Sequence, residues 1–448
     1  MLDILRKDTF RHGIHPPEHK DATSHLAIRR FPFAPQLIVP LSQHLGKPAV
    51  PVIREGEEVV RGQTIGKPDG FFSVAMHAPA SGIVRKIALA PSISGTMVES
   101  VHIEPHPASA QDVADGEPCD VDSATAEEIA KAIQQAGVVG LGGAAFPTHV
   151  KLIPPEGKHV DTLIINGVEC EPYLTTDHRV MLEQTADIFM GIRYLLRATG
   201  AAEAIIAIES NKRDAAMKLE QHLPDDMPVS VRVSPVKYPQ GAEKMVIRAL
   251  LGREIPSGGL PIDVHAICVN VATTAEIGRL LPHGRGIQER VITIGGPGVE
   301  RKGNYRIPIG TPVRVALAET GAAKNLSRVF LGGPMMGPAV SNLDIPITKG
   351  TSGVTAFTTD DIHESTGHKS VYPCIHCARC VEACPIFLNP SQLGLLAKNE
   401  EYERMAADFN LMDCFECGAC SYVCPSHIPL VQYFRLAKKM VRKLAAEA

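Results

Sequence analysis

Eight of the eleven cysteines lie between Cys374 and Cys424, in two groups of identical spacing. The first is Cys374-Ile-His-Cys377-Ala-Arg-Cys380-Val-Glu-Ala-Cys384-Pro385; the second is Cys414-Phe-Glu-Cys417-Gly-Ala-Cys420-Ser-Tyr-Val-Cys424-Pro425. In a C-x2-C-x2-C-x3-C-P run, three close thiolates wrap one iron–sulfur cube and the fourth, before the proline, ligates the other cube. Cys374, Cys377, Cys380 and Cys424 are therefore expected to hold one 4Fe-4S cluster, and Cys414, Cys417, Cys420 and Cys384 the second. A tetrahedral zinc site also uses C-x2-C pairs, but it leaves the third cysteine and the C-P step unexplained. Leu393, Leu396, Ala397, Tyr402 and Met405 recur at near-helical spacing between the groups, which suits helices packed around two cubes. Two such cubes without a substrate pocket of their own relay electrons singly.

A second group of residues with chemical potential is the glycine-rich run Gly137-Val-Val-Gly140-Leu-Gly142-Gly143-Ala144-Ala145-Phe146-Pro147-Thr148-His149-Val150-Lys151. Gly140-x-Gly142-x-x-Ala145 fits a dinucleotide fingerprint in form, but that motif follows a strand, and here the amphipathic run Ala126 to Ala136 precedes it. Four glycines with a lysine soon after suit amides that cradle phosphate, and equally a structural turn. The surrounding rhythm is α/β: strand Thr162 to Asn166, helix around Met181 to Leu196, strand Ala204 to Ile208, helix Asp214 to His222 and strand Val229 to Val233. The last three form a βαβ unit and imply parallel strands.

At 448 residues the chain exceeds one core and is expected to form several domains. Its 44% hydrophobic and 21% charged content and net charge of -4 are ordinary and give no reason to expect nucleic-acid binding. No apolar run reaches membrane-spanning length and the start lacks a signal-peptide core, so a cytosolic chain is expected. The scattered Cys119, Cys170 and Cys268 fit a reducing compartment. From Val52 to Ile87, short alternating runs and turns indicate a small β module. It resembles lipoyl and biotinyl carrier domains, without a lysine at its tip, Phe71-Phe72-Ser73-Val74-Ala75-Met76, so a scaffold or docking surface is expected. His12, His15 and His19 are read as surface residues.

Four segments taken together resemble the flavin-binding subunit of respiratory complex I and related diaphorases. The family's G-x-G-G-A-G-F-P-T-x-x-K loop is matched by Gly140 to Lys151, and its N-A-D-E-S-E-P turn by Asn166-Gly-Val168-Glu169-Cys170-Glu171-Pro172. Its Y-x-x-G-E-E-T segment is matched by Tyr238-Pro-Gln-Gly241-Ala242-Glu243-Lys244, and its N-N-V-E-T segment by Val269-Asn270-Val271-Ala272-Thr273. The resemblance implies FMN on Gly140, Gly142, Gly143, Lys151, Asn166, Glu169, Tyr238, Gly241, Glu243, Asn270 and Thr273, with NAD(H) as substrate. Val168, Ala242 and Val269 replace an aspartate, a glutamate and an asparagine of the family, each removing a polar contact. The strands around Arg290 to Ile294 and Ile307 to Val315 resemble the family's β-grasp domain, and Met335-Met336 in the following linker reads as core filling.

The domain order resembles the C subunit family of Rnf (Rsx) electron-transport complexes, across almost the whole chain. The expected fold is multidomain α/β and α+β. A barrel-sandwich (lipoyl-like) module lies in 1–120, a Rossmann-like FMN/NADH domain in 121–285, a β-grasp domain in 286–345, and a helical two-cluster ferredoxin-type domain in 346–448. The resemblance implies a peripheral subunit on the cytoplasmic side of the inner membrane. It would exchange electrons with NAD(H) through FMN and relay them through two clusters, coupled to ion translocation between NADH and ferredoxin. Its partners would be the complex's other subunits, a ferredoxin-type subunit among them, with membrane attachment indirect. A soluble diaphorase subunit and a flavin-free ferredoxin relay are the rivals. The C-terminal run is amphipathic, with Arg435, Lys439 and Arg442 on one face and Leu430, Phe434, Val441 and Leu444 on another.

Overall fold

Short strands broken by glycine and proline cannot build one wide sheet, and between Leu37 and Pro105 they form two small antiparallel ones. Leu37–Pro40, Met97–Pro105, Gly82–Pro91 and Glu58–Val59 make a four-stranded sheet; Val50–Pro51, Thr64–Lys67 and Met76–His77 make a three-stranded one. Val39, Ile53, Val59, Ile65, Val84, Val101 and Ile103 fill the shared core of this barrel-sandwich. The computed structural model describes residues 8–361 and 370–447.

The next domain opens with helix Ala126–Gln135, started by a reciprocal capping box between Thr125 and Glu128. Its parallel sheet runs Val229–Ser234, Glu203–Glu209, Thr162–Gly167, Ala266–Asn270. The strand order reverses at Thr162–Gly167, because the second and third strands add on one side and the fourth on the other. The expected Met181 to Leu196 helix is two helices, Thr176–Glu183 and Thr185–Thr199, broken where Gln184 leaves the helical region at φ -125°, ψ 34°. Gly200 ends the second in a left-handed conformation.

The third sheet is mixed and six-stranded, in the order Arg29–Arg30, Gly303–Pro308, Glu289–Gly295, Gly353–Thr358, Leu326–Leu331, Ala339–Val340. It thus takes in strands on both sides of the 286–345 span. The run expected to be strand through Val315 stops at Pro308, and Val313–Thr320 is a helix with Pro312 at its N-cap. Its buried Val313, Ala316 and Leu317 pack on Ile292, Ile294 and Ile307 of the sheet. The last domain is helical: Pro390–Lys398, Tyr402–Ala407 and Leu430–Glu447 enclose Leu393, Leu396, Met405, Leu411 and Phe434.

Lys349, 1% exposed, fastens three of these domains. Its Nζ donates to Ala75 O of the barrel-sandwich (2.6 Å) and Gly137 O at the start of the glycine run (2.8 Å). Gly137 has φ +72°, and a Cβ there would lie 2.4 Å from Ala75 O and 2.6 Å from Lys349 Nζ, so the junction admits only glycine. Burial pushes Lys349 down to about 7 from 10.5; burial, and then the Lys349 charge, push His77 down to about 3 from 6.5.

Burial disfavours the charged form of each group in the fold, so the unfolded chain binds more protons in the interval between the two pKa values. The His77 contribution is complete above about pH 6.5 and is lost as pH falls towards 3; that of Lys349 is complete above 10.5 and is lost as pH falls towards 7. Between pH 7 and pH 4 urea midpoints should fall more steeply, or rise less, in the parent chain than in His77→Gln, which does not titrate there. An unchanged slope in the variant would remove His77 as its source.

Candidate functional site

In an open α/β sheet a ligand sits outside the C-terminal strand ends where the order reverses. Here that crevice lies between Thr162–Gly167 and Ala266–Asn270, and Asn166 and Asn270 are direct register partners at its rim. Asn270 Oδ1 accepts from Ala272 N (3.0 Å) and Thr273 N (3.2 Å), capping the helix Val271–Leu280 whose positive end opens into the crevice. Asn166 Nδ2 donates to Gly241 O at 2.8 Å. A Cβ on Gly142 would touch Asn270 at 3.3 Å, so the glycine loop comes down onto the same rim.

The loop is gripped from behind. Leu141 N donates to the buried Thr273 Oγ1 at 2.9 Å, and Arg290, 1% exposed, donates to Leu141 O at 2.8 Å and Thr351 O at 3.2 Å. With Lys349 on Gly137, two buried cations hold the loop's carbonyls. Gly142, Gly143 and Ala144 remain exposed, and their amides have no protein acceptor among the described residues. Gly143 has φ +110° with open space beside it. Exposed amides on a glycine turn, backed by cations and a helix N-terminus, fit a phosphate such as that of FMN.

Lys151, on the short helix Thr148–Lys151, donates to Glu243 Oε1 at 2.6 Å and to Cys268 O at 3.2 Å. Burial opposes its charge, but Glu243 and Cys268 outweigh burial and its pKa ends above the ordinary lysine value. Gly140, Gly142, Gly143, Lys151, Asn166, Gly241, Glu243, Asn270 and Thr273 are thus linked around one crevice by the contacts just described and by the loop itself.

Glu169 and Tyr238 are engaged elsewhere. The buried Glu169 carboxylate accepts from Asp177 N (2.8 Å) and His178 N (3.4 Å), capping helix Thr176–Glu183, with Lys20 Nζ 4.0 Å away. Tyr238, 1% exposed, donates its hydroxyl to Cys417 O at 2.6 Å. Tyr238, Ile14, Ala383 and Ala419 form an apolar cluster with Cys170, Met335 and Cys417. Gly241 N donates to Cys170 Sγ at 3.3 Å. The same segment therefore touches the flavin-type crevice at Gly241 and the cysteine domain at Tyr238. Glu171 strengthens this junction by accepting from Met335 N (3.2 Å) and Met336 N (2.7 Å); burial pushes its carboxyl up to about 7. Met335 packs against that apolar cluster, as core filling requires, while Met336 is exposed, and the backbone of both lies in a tie between domains.

The cysteines divide as the crossed spacing requires. Cys374, Cys377, Cys380 and Cys424 line one cavity; Cys384, Cys414, Cys417 and Cys420 line another. Four cysteines around each space, drawn from both runs, suit the crossed ligation of two cubes. The two loops repeat each other's backbone: His376 and Ala378 match Glu416 and Gly418 in positive φ, and His376 N and Glu416 N approach Cys374 Sγ (3.5 Å) and Cys414 Sγ (3.4 Å). Such N–H···S contacts tune cluster potentials. The second set faces the flavin-type domain through Tyr238 and through Ser257 Oγ, which donates to Asp413 Oδ2 (2.6 Å), and the N-terminal segment through Gly13 N, which donates to Ala383 O (3.3 Å), and His12 Nδ1, 3.1 Å from Cys384 O. The first set faces outward, with Cys377 exposed and Tyr372 and Ile375 beside it 56% and 66% exposed.

The sequence reading missed Arg290, Lys349 and Asp177. Asp177 is half-buried and accepts from Asn270 Nδ2 at 2.7 Å; desolvation first, and then Glu169, push its pKa up. On the C-terminal helix, Arg435 does not belong to a free basic face, since its guanidinium bonds Glu416 (3.0 Å) and Met336 O (3.2 Å).

Family models match in three segments: the RnfC barrel sandwich hybrid domain over residues 8–107, the Nuo51 FMN-binding domain over 133–279, and the 4Fe-4S dicluster domain over 373–428. The chain is 40% identical over 433 residues to the C subunit of the proton-translocating ferredoxin:NAD(+) oxidoreductase complex of Clostridium ljungdahlii, covering 96% of this chain and 93% of that one. It is 38% identical over 438 residues to the Na(+)-translocating counterpart of Acetobacterium woodii, covering 98% of each. An NAD+-reducing NiFe-hydrogenase in its air-oxidised state shares the fold at a TM-score of 0.50 and 20% identity, covering 74% of this chain and 68% of that one.

Crossed ligation predicts which cysteine variants behave alike. Cys384→Ser should lose the same cluster signal as Cys414→Ser, and Cys424→Ser the same as Cys374→Ser, with about four irons retained in each case. Electron paramagnetic resonance that paired Cys384→Ser with Cys374→Ser would contradict the assignment.

Proposed function

This chain belongs to the C subunit family of ion-translocating ferredoxin:NAD+ oxidoreductase (Rnf) complexes, and from that premise we propose how its residues serve electron exchange with NAD(H) through FMN and onward relay through two 4Fe-4S clusters. The observation that carries the reading is the continuous segment Tyr238 to Gly241, which meets Asn166 of the flavin-type crevice at one end and Cys417 of the inner cysteine set at the other. Bound flavin supplies the conversion between a two-electron hydride and the single electrons that cubes accept.

The amides of Gly142, Gly143 and Ala144 would hold the FMN phosphate, with Lys151 supplying positive charge. Asn166, Gly241, Asn270 and Thr273 would line the remainder, while Gly140 and Glu243 shape the loop and hold Lys151. Glu169 acts by fixing helix Thr176–Glu183, and Tyr238 by joining the domains. The inner set meets the Tyr238 segment that leads to the crevice, which supports placing it first in the relay, and the outer set would present Tyr372, Ile375 and Cys377 to a partner subunit. Among the described residues no helix is long and apolar enough to cross a membrane, which suits a peripheral subunit attached through its partners. The cytoplasmic face is where NADH and ferredoxin are available to such a subunit. Leu436 and Leu444, exposed on the C-terminal helix, offer a further surface for the complex.

Anaerobically reconstituted chain should carry about one FMN and about eight irons, and NADH should bleach both flavin and cluster absorbance. Iron without flavin and without any NADH response would leave only a relay. Lys151→Ala should weaken FMN retention by about tenfold or more with cluster content unchanged, in line with losing a charged phosphate contact. Cys377→Ser should leave NADH reduction of flavin and inner cluster intact while abolishing electron delivery to an external acceptor; unimpaired delivery would reverse the order of the two cysteine sets.

A further inference from the structure

The Glu171 carboxyl sits where three domains meet. Its oxygens accept from two consecutive amides of the linker that follows strand Leu326–Leu331, Met335 N (3.2 Å) and Met336 N (2.7 Å). A Cβ on Gly333 would strike that carboxylate, so glycine is what lets the linker come down on it. The far side of the same linker faces the inner cysteine loop. A Cβ on Gly418, which follows Cys417, would lie 2.9 Å from Met335 O, and Arg435 donates both to Met336 O (3.2 Å) and to Glu416 (3.0 Å). Two linker residues therefore stand between Glu171 and the loop that carries Cys414, Cys417 and Cys420.

Among the described residues no cation pairs with this carboxylate. Lys20 faces it from the N-terminal segment, but its ammonium group donates to the carbonyls of Glu169, Glu171 and Leu174, and desolvation lowers its own pKa. Arg435 faces it from the C-terminal helix and is divided between Met336 O and Glu416. From the flavin-type domain Tyr238 and Cys170 face it, and burial raises both pKa values and keeps both groups neutral. Desolvation pushes the Glu171 carboxyl up to about 7, against the two amides and the Lys20 charge. Asp177 and Glu209, also pushed up, bond Asn270 and Lys212 instead. Glu171 is only half-buried, so water can deliver a proton to it. A 4Fe-4S cluster changes its charge by one unit with each electron, and added negative charge nearby favours the neutral form of a carboxyl.

We propose that Glu171 couples a proton to the electron on the inner cluster. Glu171 takes one proton from water as the cluster gains one electron, and returns it to water when that electron leaves for the outer set, so the net charge of the junction is the same in both states. The proposal rests on the reading of Cys384, Cys414, Cys417 and Cys420 as the inner cluster's ligands. Glu171 is a positioning residue, acting on the cluster's potential through the linker at Met335 and Met336.

Anaerobically reconstituted full-length chain tests it in redox titrations followed by electron paramagnetic resonance from about pH 6 to about pH 9. In the parent chain the inner cluster's reduced-to-oxidised ratio at fixed potential should fall as pH rises above about 7, approaching tenfold per pH unit, which is about 59 mV for one electron. Below about pH 7 the potential should level off, because both redox states then hold the proton. Glu171→Gln should make the inner potential independent of pH and place it above the parent's at alkaline pH, with iron content and the outer potential unchanged. Infrared difference spectra at mildly alkaline pH should gain a protonated-carboxyl band on reduction of the parent, and the variant should lack it. A pH slope that survives in Glu171→Gln, or in Cys414→Ser where only the outer cluster remains, overturns the proposal. So does a parent potential that stays level across the whole range, a result that needs no variant to fold. A parent chain that assembles a single cluster refutes the two-cluster reading itself and this proposal with it.

Discussion

Two buried cations, Lys349 and Arg290, determine the shape of the glycine loop, and much of the molecule is organised around them. A charged group stripped of water is tolerated only where hydrogen bonds and charge replace hydration. Lys349 finds two carbonyls, Ala75 O and Gly137 O; Arg290 finds Leu141 O and Thr351 O. Burial still pulls their pKa values down, to about 7 and about 10. Because both donors come from the chain between the third sheet's strands or from the sheet itself, the loop cannot adopt its shape until that sheet is docked. Carbonyls turned inward leave amides turned outward, and a helix N-terminus at Asn270 adds to the same positive potential.

The N-terminal segment acts as a strap across the other domains. Asp8 pairs with Arg232 (2.6 Å), Phe10 O accepts from Lys237 (2.5 Å), Ile14 bridges Tyr238, and Lys20 donates to Glu169 O, Glu171 O and Leu174 O. Thr23 then meets Thr175 and Asn304 in the third sheet. His12 and His19, read from the sequence as surface residues, serve this strap by contacting Cys384 O and stacking on Tyr173 at 4.7 Å. The strap crosses the back of the acidic turn, which explains why Glu169, with φ +47°, can hold a backbone conformation that few side chains adopt.

How much was legible depended on whether a residue's partner lay nearby in sequence. The cysteine sets were readable because cluster ligation imposes local spacing, and the glycine loop because its composition is constrained at every second or third position. Asn166 and Asn270 came from the resemblance, and the sheet makes them register partners, a pairing that no single segment reveals. Arg290 and Lys349 left no trace because one long side chain crossing a domain boundary has no periodicity. Arg435 was assigned to a basic face by helical geometry, which is correct for the helix alone and is overruled by Glu416 on the opposing loop. Val313 to Val315 read as strand because the alternation continues past Pro308, yet two prolines interrupt the ladder and Pro312 starts a helix instead.

Viewed as cross-links, the two cysteine sets close loops of different span, one from Cys374 to Cys424 and the other from Cys384 to Cys420, the second nested within the first. During synthesis the inner loop can close as soon as Cys420 emerges, whereas the outer loop must wait for Cys424. The exposed cysteine, Cys377, belongs to the longer loop, so releasing that set would open the longer loop and leave the shorter one closed against Tyr238.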